Sequence, residues 1–211
     1  MTAQTRALQL TGEAGAIEAV FDPAQLEDGA AARGVAVIAH PHPLFGGTMD
    51  NKVAQTLARA FVQCGWNAVR FNFRGVGGTA GTYDDGRGET DDLLAVVRQV
   101  APEGPLALAG FSFGSFVTSQ ALQALWSARA VAKIVFVGTA AARFRVAPLP
   151  EAAHERTLVV HGEHDDTVPL AAVFDWARPQ TLPVTVIPGG GHFFHGQLPL
   201  LKNLVVRHLQ S

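Results

Sequence analysis

The chain has almost no cysteine, no excess of either charge and no long apolar run, and each shortage removes a class of protein. A single cysteine, Cys64, rules out a disulfide framework within the chain. Lying in "FVQCGW" at the end of a helical pattern, it reads as a small buried thiol and not as a nucleophile. Lys plus Arg number 16 against 18 Asp plus Glu, for a formal net charge of −2. That is far from the basic surplus with which a protein neutralises a phosphate backbone, so nucleic acid is not an expected partner. No segment reaches the roughly 18 uninterrupted apolar residues of a membrane span. The start "MTAQTRALQL" lacks the charged stretch and long apolar core of an export signal. The expectation is a soluble cytoplasmic protein with no membrane partner. Repeats, low-complexity tracts and linkers are missing too, because the 22 glycines and 12 prolines only punctuate apolar runs.

What is present is apolar material for one core: 211 residues, 48% of them hydrophobic, predict a single domain over 1–211. Residues 8–22, "LQLTGEAGAIEAVFD", alternate apolar and polar around "GEAG", the pattern of an antiparallel edge hairpin. Beyond it, "VAVIAH" (35–40), "WNAVRFNF" (66–73), "PLALAGF" (105–111), "KIVFVG" (133–138), "TLVVHG" (157–162) and "VTVIPG" (184–189) are short, β-rich and apolar. Such runs are strands covered on both faces. Helical patterns alternate with them: "DNKVAQTLARAFVQCG", "ETDDLLAVVRQV", "GSFVTSQALQALW", "LAAVFDWAR" and "LPLLKNLVVRHLQ". The predicted fold class is therefore α/β, a doubly wound, mostly parallel sheet with an antiparallel hairpin at one edge. Sheets of this kind carry their chemistry in loops at the carboxyl ends of the strands.

At one such end stands Gly110-Phe111-Ser112-Phe113-Gly114, a G-x-S-x-G at a strand-to-helix junction. The motif describes a sharp turn that holds the serine in a strained conformation, with glycine two residues either side because a side chain there would meet a neighbouring strand or helix. A serine hydroxyl becomes nucleophilic only when an imidazole takes its proton and a carboxylate fixes that imidazole. In sheet hydrolases the chain order is serine, acid, histidine. Here "LVVHGEHDDTVP" (158–169) supplies Glu163, Asp165 and Asp166 after one strand, and "VIPGGGHFF" (186–194) supplies His192 after the last. Eight histidines compete for the role, His40, His42, His161, His164 and His195 among them. His192 alone follows "GGG", a flexible loop that could reach back over Ser112; His195, expected to start the last helix, is the second choice.

These residues resemble the α/β-hydrolase superfamily, and within it the compact bacterial members that carry "HPHPLFGGTMDNK" after the first parallel strand and "RFNFRGVGGTAG" after the second. The resemblance runs from about residue 35 to the end. It implies that Gly162-Glu163-His164-Asp165-Asp166-Thr167-Val168-Pro169 matches the family's Gly-x-x-Asp-x-x-Val-Pro, which makes Asp165 the triad acid with Asp166 and then Glu163 as rivals. It also implies an oxyanion hole built from main-chain N–H groups. One would be Phe113, directly after the nucleophile and at a helix amino terminus. The other would come from "His40-Pro41-His42-Pro43-Leu44", where proline has no N–H, so His42 or Leu44 must donate, His42 by position the first choice.

The glycine-rich "RGVGGTAG" (74–81) departs from G-x-G-x-x-G at the last position, follows the second parallel strand instead of the first and has no acidic residue ending a strand about 20 residues later, so it is not expected to be a dinucleotide site. The resemblance makes it a structural turn bordering the pocket. The spacing of His40 and His42 matches no familiar zinc arrangement, and a role shaping the oxyanion turn is expected of them. No cofactor and no metal are expected. Only about 18 residues separate two strands where many relatives of this kind insert a lid, so the cleft should be open and bordered by Leu44, Phe45, Phe111, Phe113, Phe144, Phe193 and Phe194. The protein expected from this pattern is a lidless serine hydrolase of the carboxylesterase type, acting on small or accessible esters through Ser112, His192 and Asp165. A peptidase, thioesterase or acyltransferase would use the same residues, and a hydrolase fold used only for binding is the remaining alternative. The sequence carries no signature of an oligomeric state.

Overall fold

Eight strands form one sheet in the computed structural model of the chain, which describes residues 5–27 and 29–211. Residues 1–4, where the segment read for an export signal begins, lie outside the described residues. The hairpin pairs β1 (Arg6–Gly12) with β2 (Gly15–Asp22) around Glu13 and Ala14. The apolar runs become β3 (Val35–Ala39), β4 (Asn67–Phe71), β5 (Leu106–Phe111), β6 (Val131–Val137), β7 (Thr157–Gly162) and β8 (Thr185–Ile187). Their spatial order is β1-β2-β4-β3-β5-β6-β7-β8. β2 meets β4 antiparallel, and every pair from β4 onward is parallel.

Five helices, α1 (Lys52–Gln63), α2 (Arg87–Val100), α3 (Phe113–Leu125), α4 (Leu170–Ala177) and α5 (Leu198–Gln210), cover the sheet. α1 starts where the Asn51 side chain accepts the Val53 N–H at 2.9 Å. α2 starts where the Glu89 carboxylate reaches back to the N–H groups of Gly86 (2.8 Å) and Asp84 (2.9 Å). The period-2 alternation of β5 sends Leu106 and Leu108 into a core shared with α2, α3 and α4. It sends Ala107, Ala109 and Phe111 into a second core under α1 and α5. Each face thus buries its own apolar layer, and β5 sits between the two.

Strand ends shift from expectation by one or two residues for local reasons. Trp66 leaves β4 to set its ring edge-on against Phe61. Asn72 leaves it to accept the Met49 N–H (2.8 Å) and donate to Glu18 (2.8 Å). Cys64 caps α1 and is half-buried, not buried as expected; burial still raises its thiol pKa. Between β6 and β7 there is only a turn and the short 3-10 stretch Glu151–Arg156, so nothing in that connection roofs the sheet. No helix among the described residues is long and apolar enough to cross a membrane.

The glycine-rich loop 74–81 is fastened to the frame. Arg74 presents its guanidinium fork to Asp92 of α2, with Nε on Oδ2 at 3.0 Å and Nη2 on Oδ1 at 2.8 Å. A side chain on Gly77 would collide with the Glu18 carboxylate, which takes the Gly78 N–H at 2.8 Å. The Asp92 side chain is 2% exposed and that of Arg74 is 12% exposed, so removing one partner strands a buried charge. Asp92→Ala should therefore cost about 3 kcal/mol in urea unfolding. By contrast, Arg87→Ala, which breaks the exposed pair with Asp84, should change stability by under about 0.5 kcal/mol.

Candidate active site

Crowding at the end of β5 decides where Ser112 points. A Cβ on Gly110 would come within 2.5 Å of the Ser115 nitrogen, and one on Gly114 would sit 2.6 Å from the His40 carbonyl oxygen and overlap that of Ala39. Both glycines are needed because strand, turn and helix touch through bare backbone. The turn leaves Ser112 at φ 55° and ψ −117°, outside the regions comfortable for a side-chain-bearing residue. Its N–H is tied to the Val137 carbonyl (2.8 Å), and the Ser115 hydroxyl donates to the Gly110 carbonyl (2.7 Å), fixing the turn from both sides.

Around that hydroxyl the chain places two of the expected partners. The Ser112 hydroxyl donates to Nε2 of His192 at 3.0 Å, and Nδ1–H of His192 donates to Oδ2 of Asp165 at 2.7 Å. All three residues are buried. His192 lies over the Phe111 ring, with centroids 4.9 Å apart, and beside Gly138, where a Cβ would crowd the imidazole at 3.2 Å. The glycine loop before it is tied, contrary to the flexible loop expected. The His164 N–H bonds to the Gly190 carbonyl (2.8 Å), the Phe194 N–H to that of Gly191 (3.1 Å), and the Gln197 amide to that of Pro188 (3.0 Å).

Asp165 is separated from its rivals by its own loop. Oδ1 accepts the N–H groups of Thr167 (3.0 Å) and Val168 (2.7 Å), which turns Oδ2 toward His192. Burial works to raise its pKa, but the His192 hydrogen bond and then the Val168 N–H outweigh it and hold the carboxyl below its usual range. Asp166 takes only the Thr167 hydroxyl, and Glu163 takes the Gly189 N–H at 2.8 Å. His195 is exposed and precedes α5, which begins at Leu198 and not at His195.

His40 and His161 are structural, and His42 borders the cleft. His40 is fully buried: Nδ1–H donates to the Pro41 carbonyl (2.6 Å) and Nε2 accepts the Phe73 N–H (3.0 Å). With both nitrogens used it has none left for a metal, and burial pushes its pKa from the usual 6.5 down to about 4. His161 stands behind Asp165, its Nε2 2.9 Å from the Val168 carbonyl and 3.4 Å from Oδ2 of Asp165. Its Nδ1 has no partner among the described residues, and burial lowers its pKa.

Pro43–Phe45 form one 3-10 turn, in which the Leu44 N–H donates to Nδ1 of His42 at 3.2 Å. The N–H groups of His42 and Phe113 have no acceptor among the described residues. His42 borders a cavity of about 290 Å³ that opens over Ser112 and His192, with Phe45, Arg143, Thr167 and Phe193 around its mouth. Six expectations about the border of the cleft fail here. Phe111, Phe113 and Phe194 are fully buried core residues and do not border the cleft; Phe111 faces the α1 and α5 core, and Phe113 packs against Phe73, Phe116 and Phe144. Phe144 stacks on Phe116 at 4.8 Å and lies outside the cavity. Leu44 is exposed but is not among the residues that line it, and neither is any residue of the 74–81 loop. Sequence reasoning missed Arg143 and Thr167, though both sit in loops after strands, where working residues of such sheets collect.

Residues 32–198 match the family model of the alpha/beta hydrolase domain. The crystal structure of a lidless α/β serine hydrolase from Xanthomonas campestris is 34% identical with a TM-score of 0.87, the match covering 100% of this chain and 95% of that one. That of an α/β serine hydrolase homologue from Coxiella burnetii is 36% identical with a TM-score of 0.80, covering 99% and 98%. An uncharacterised protein of Rickettsia prowazekii is 40% identical over 90 residues, which span 41% of this chain and only 38% of that protein.

Histidines wholly or partly removed from water set the acid side of stability. The unfolded chain protonates its histidines near pH 6.5, whereas His40 and His208 take a proton only near 4 and His161 is shifted the same way. The unfolded state then holds more protons, so stability should fall as pH drops from about 6.5 toward 4, by up to about 1.4 kcal/mol per pH unit for each such proton. Asp165 adds a lower window, since stability from its depressed carboxyl is present above its ordinary pKa and lost as pH falls through the folded value. Urea midpoints across this range should show the slope, and His40→Gln, which cannot titrate, should make it shallower by close to one proton.

Proposed function

The chain belongs to the α/β-hydrolase family, among its lidless serine hydrolases, and from that membership we propose a carboxylesterase working through Ser112, His192 and Asp165. Ser112 Oγ attacks an ester carbonyl while His192 Nε2 takes its proton. Asp165 keeps Nδ1 protonated, so that Nε2 faces the serine as a base, and steadies the imidazolium that forms. The tetrahedral intermediate collapses, His192 passes its proton to the leaving alcohol, and the acyl group stays on Oγ. Water, deprotonated by His192, then releases the acid and restores the hydroxyl.

The observation that carries this reading is the unbroken chain of donors from Ser112 to Asp165, at 3.0 and 2.7 Å. The oxyanion falls to the N–H groups of His42 and Phe113. Both are free of protein acceptors among the described residues, while that of Leu44 is occupied by the His42 ring. The second of them also opens α3, whose macrodipole favours negative charge. One donor of this kind is worth about 3 kcal/mol in the transition state. A roofless cleft of this size suits small or accessible acyl groups better than long buried chains.

Ser112→Ala should lower turnover of a short p-nitrophenyl ester by about 10⁴-fold or more while leaving the urea midpoint near that of the unaltered chain. A fluorophosphonate should label the unaltered chain at Ser112 and leave the variant untouched. Undiminished turnover by the variant would remove Ser112 from the chemistry, and an unlabelled chain would make the fold a binding module.

A further inference from the structure

The rim of the cleft carries one permanently charged side chain among the described residues, Arg143, and nothing in the proposed reaction uses it. It lies in the turn after β6, at the carboxyl edge of the sheet. Its guanidinium carbon sits over the Phe45 ring, 5.8 Å from the centroid, so the loop after β3 and the loop after β6 meet across the mouth. No carboxylate lies within 4 Å of it among the described residues. The exposed Arg87 and Arg178 behave differently, each pairing with an aspartate three residues earlier, at 3.0 and 2.8 Å. Arg143 is thus a planar cation resting on an aromatic ring, its fork of donors unclaimed among the described residues, in the lining of the cavity that Ser112 also lines. Its charge reaches into the cleft, where after burial it is the next cause lowering the pKa of His42. Beyond it opens a second basin of about 670 Å³, bordered by Asp85, Phe116, Phe144 and Arg145, so a group that passes Arg143 has room to continue.

We propose that Arg143 selects esters that carry a carboxylate or similar anion near the scissile bond, receiving it on the guanidinium fork. This rests on the esterase reading and narrows its substrate class. A guanidinium matches a carboxylate in a bidentate way that a lysine ammonium does not, and seating on Phe45 leaves less side-chain freedom to lose on binding. The pair would be solvent-accessible, so its effect is modest and sensitive to salt.

The test uses two matched pairs of activated esters. On the acyl side, mono-p-nitrophenyl glutarate is set against p-nitrophenyl pentanoate; on the alcohol side, p-acetoxybenzoate is set against its methyl ester. The readout is the ratio of kcat/KM for the charged over the neutral member, which cancels intrinsic reactivity when one protein is compared with another. In Arg143→Gln this ratio should fall at least about threefold in one series or both, with Arg143→Lys in between, and the difference should shrink toward about 0.5 M salt. Ratios that stay the same in both series overturn the proposal and leave the esterase reading intact. Failure to turn over any of the four, with Ser112 still labelled by a fluorophosphonate, overturns it as well. No turnover and no labelling would bring down both.

Discussion

Everything at the carboxyl edge of the sheet depends on bare backbone contact between β5, α3 and the end of β3. Gly110 and Gly114 let the chain reverse within a few residues, and the reversal forces Ser112 into its positive-φ conformation. Relaxing that strain by itself would swing the hydroxyl away, so the surrounding bonds must hold it. They come from the Val137 carbonyl, the Ser115 hydroxyl bond to the Gly110 carbonyl, and two apolar cores that clamp β5 from both faces. A strained residue persists only where its neighbours over-determine it, and here helix, strand and both layers do so. The same economy recurs on the other side of the site: Gly162 brings the end of β7 against the Gly190 carbonyl, which sets the distance over which His192 and Asp165 meet.

Much of this could be read from residue order alone, and the reasons are physical. Strands buried on both faces must be apolar throughout, and helices covering them must be amphipathic, so the alternation from Val35 onward had one architecture open to it. Gly110 and Gly114 were legible because each answers a steric demand that other residue types cannot meet, and Ser112 because a hydroxyl held in a strained turn between them is a chemical choice and not a steric one. Asp165 was harder to separate from Asp166 and Glu163, since three acids within four residues look alike until the loop closes. Its Oδ1 is claimed by the backbone of Thr167 and Val168, and only the remaining oxygen is aimed at His192.

What stayed hidden was direction. Phe111 and Phe113 flank the serine in sequence, yet the first points down as the floor beneath His192 and the second enters the α2 and α3 layer. Flanking position in a sharp turn carries no information about which side a ring takes, whereas Phe45 and Phe193, in loops, reach the rim. Arg143 was invisible for the converse reason. Its loop reads as plain polar connection, and its place beside the cleft comes from a tertiary meeting with Phe45, about a hundred residues away in sequence. The glycine-rich stretch 74–81 is a structural turn as expected but does not border the cavity, because Gly77 and Gly78 pack it against Glu18 of β2.

The electrostatic layout of the edge has a single sense. His40 and His161 are kept from charging by burial, so neither adds a cation beneath the site. The negative charge of Asp165 is met by the Thr167 and Val168 N–H groups on one oxygen and His192 on the other, with His161 close behind, so little of it projects outward. Around Ser112 stand the start of α3 directly after it, the N–H groups of His42 and Phe113 without acceptors among the described residues and, in the lining of the same cavity, Arg143. Each of these is positive, and the two N–H groups belong to backbone that the fold already fixes. A neutral ester entering the cleft gains little from such a field. On the proposed reading the oxyanion formed after attack gains more, because its charge would develop beside the His42 and Phe113 N–H groups, and that difference between ground and transition state would be the source of the rate.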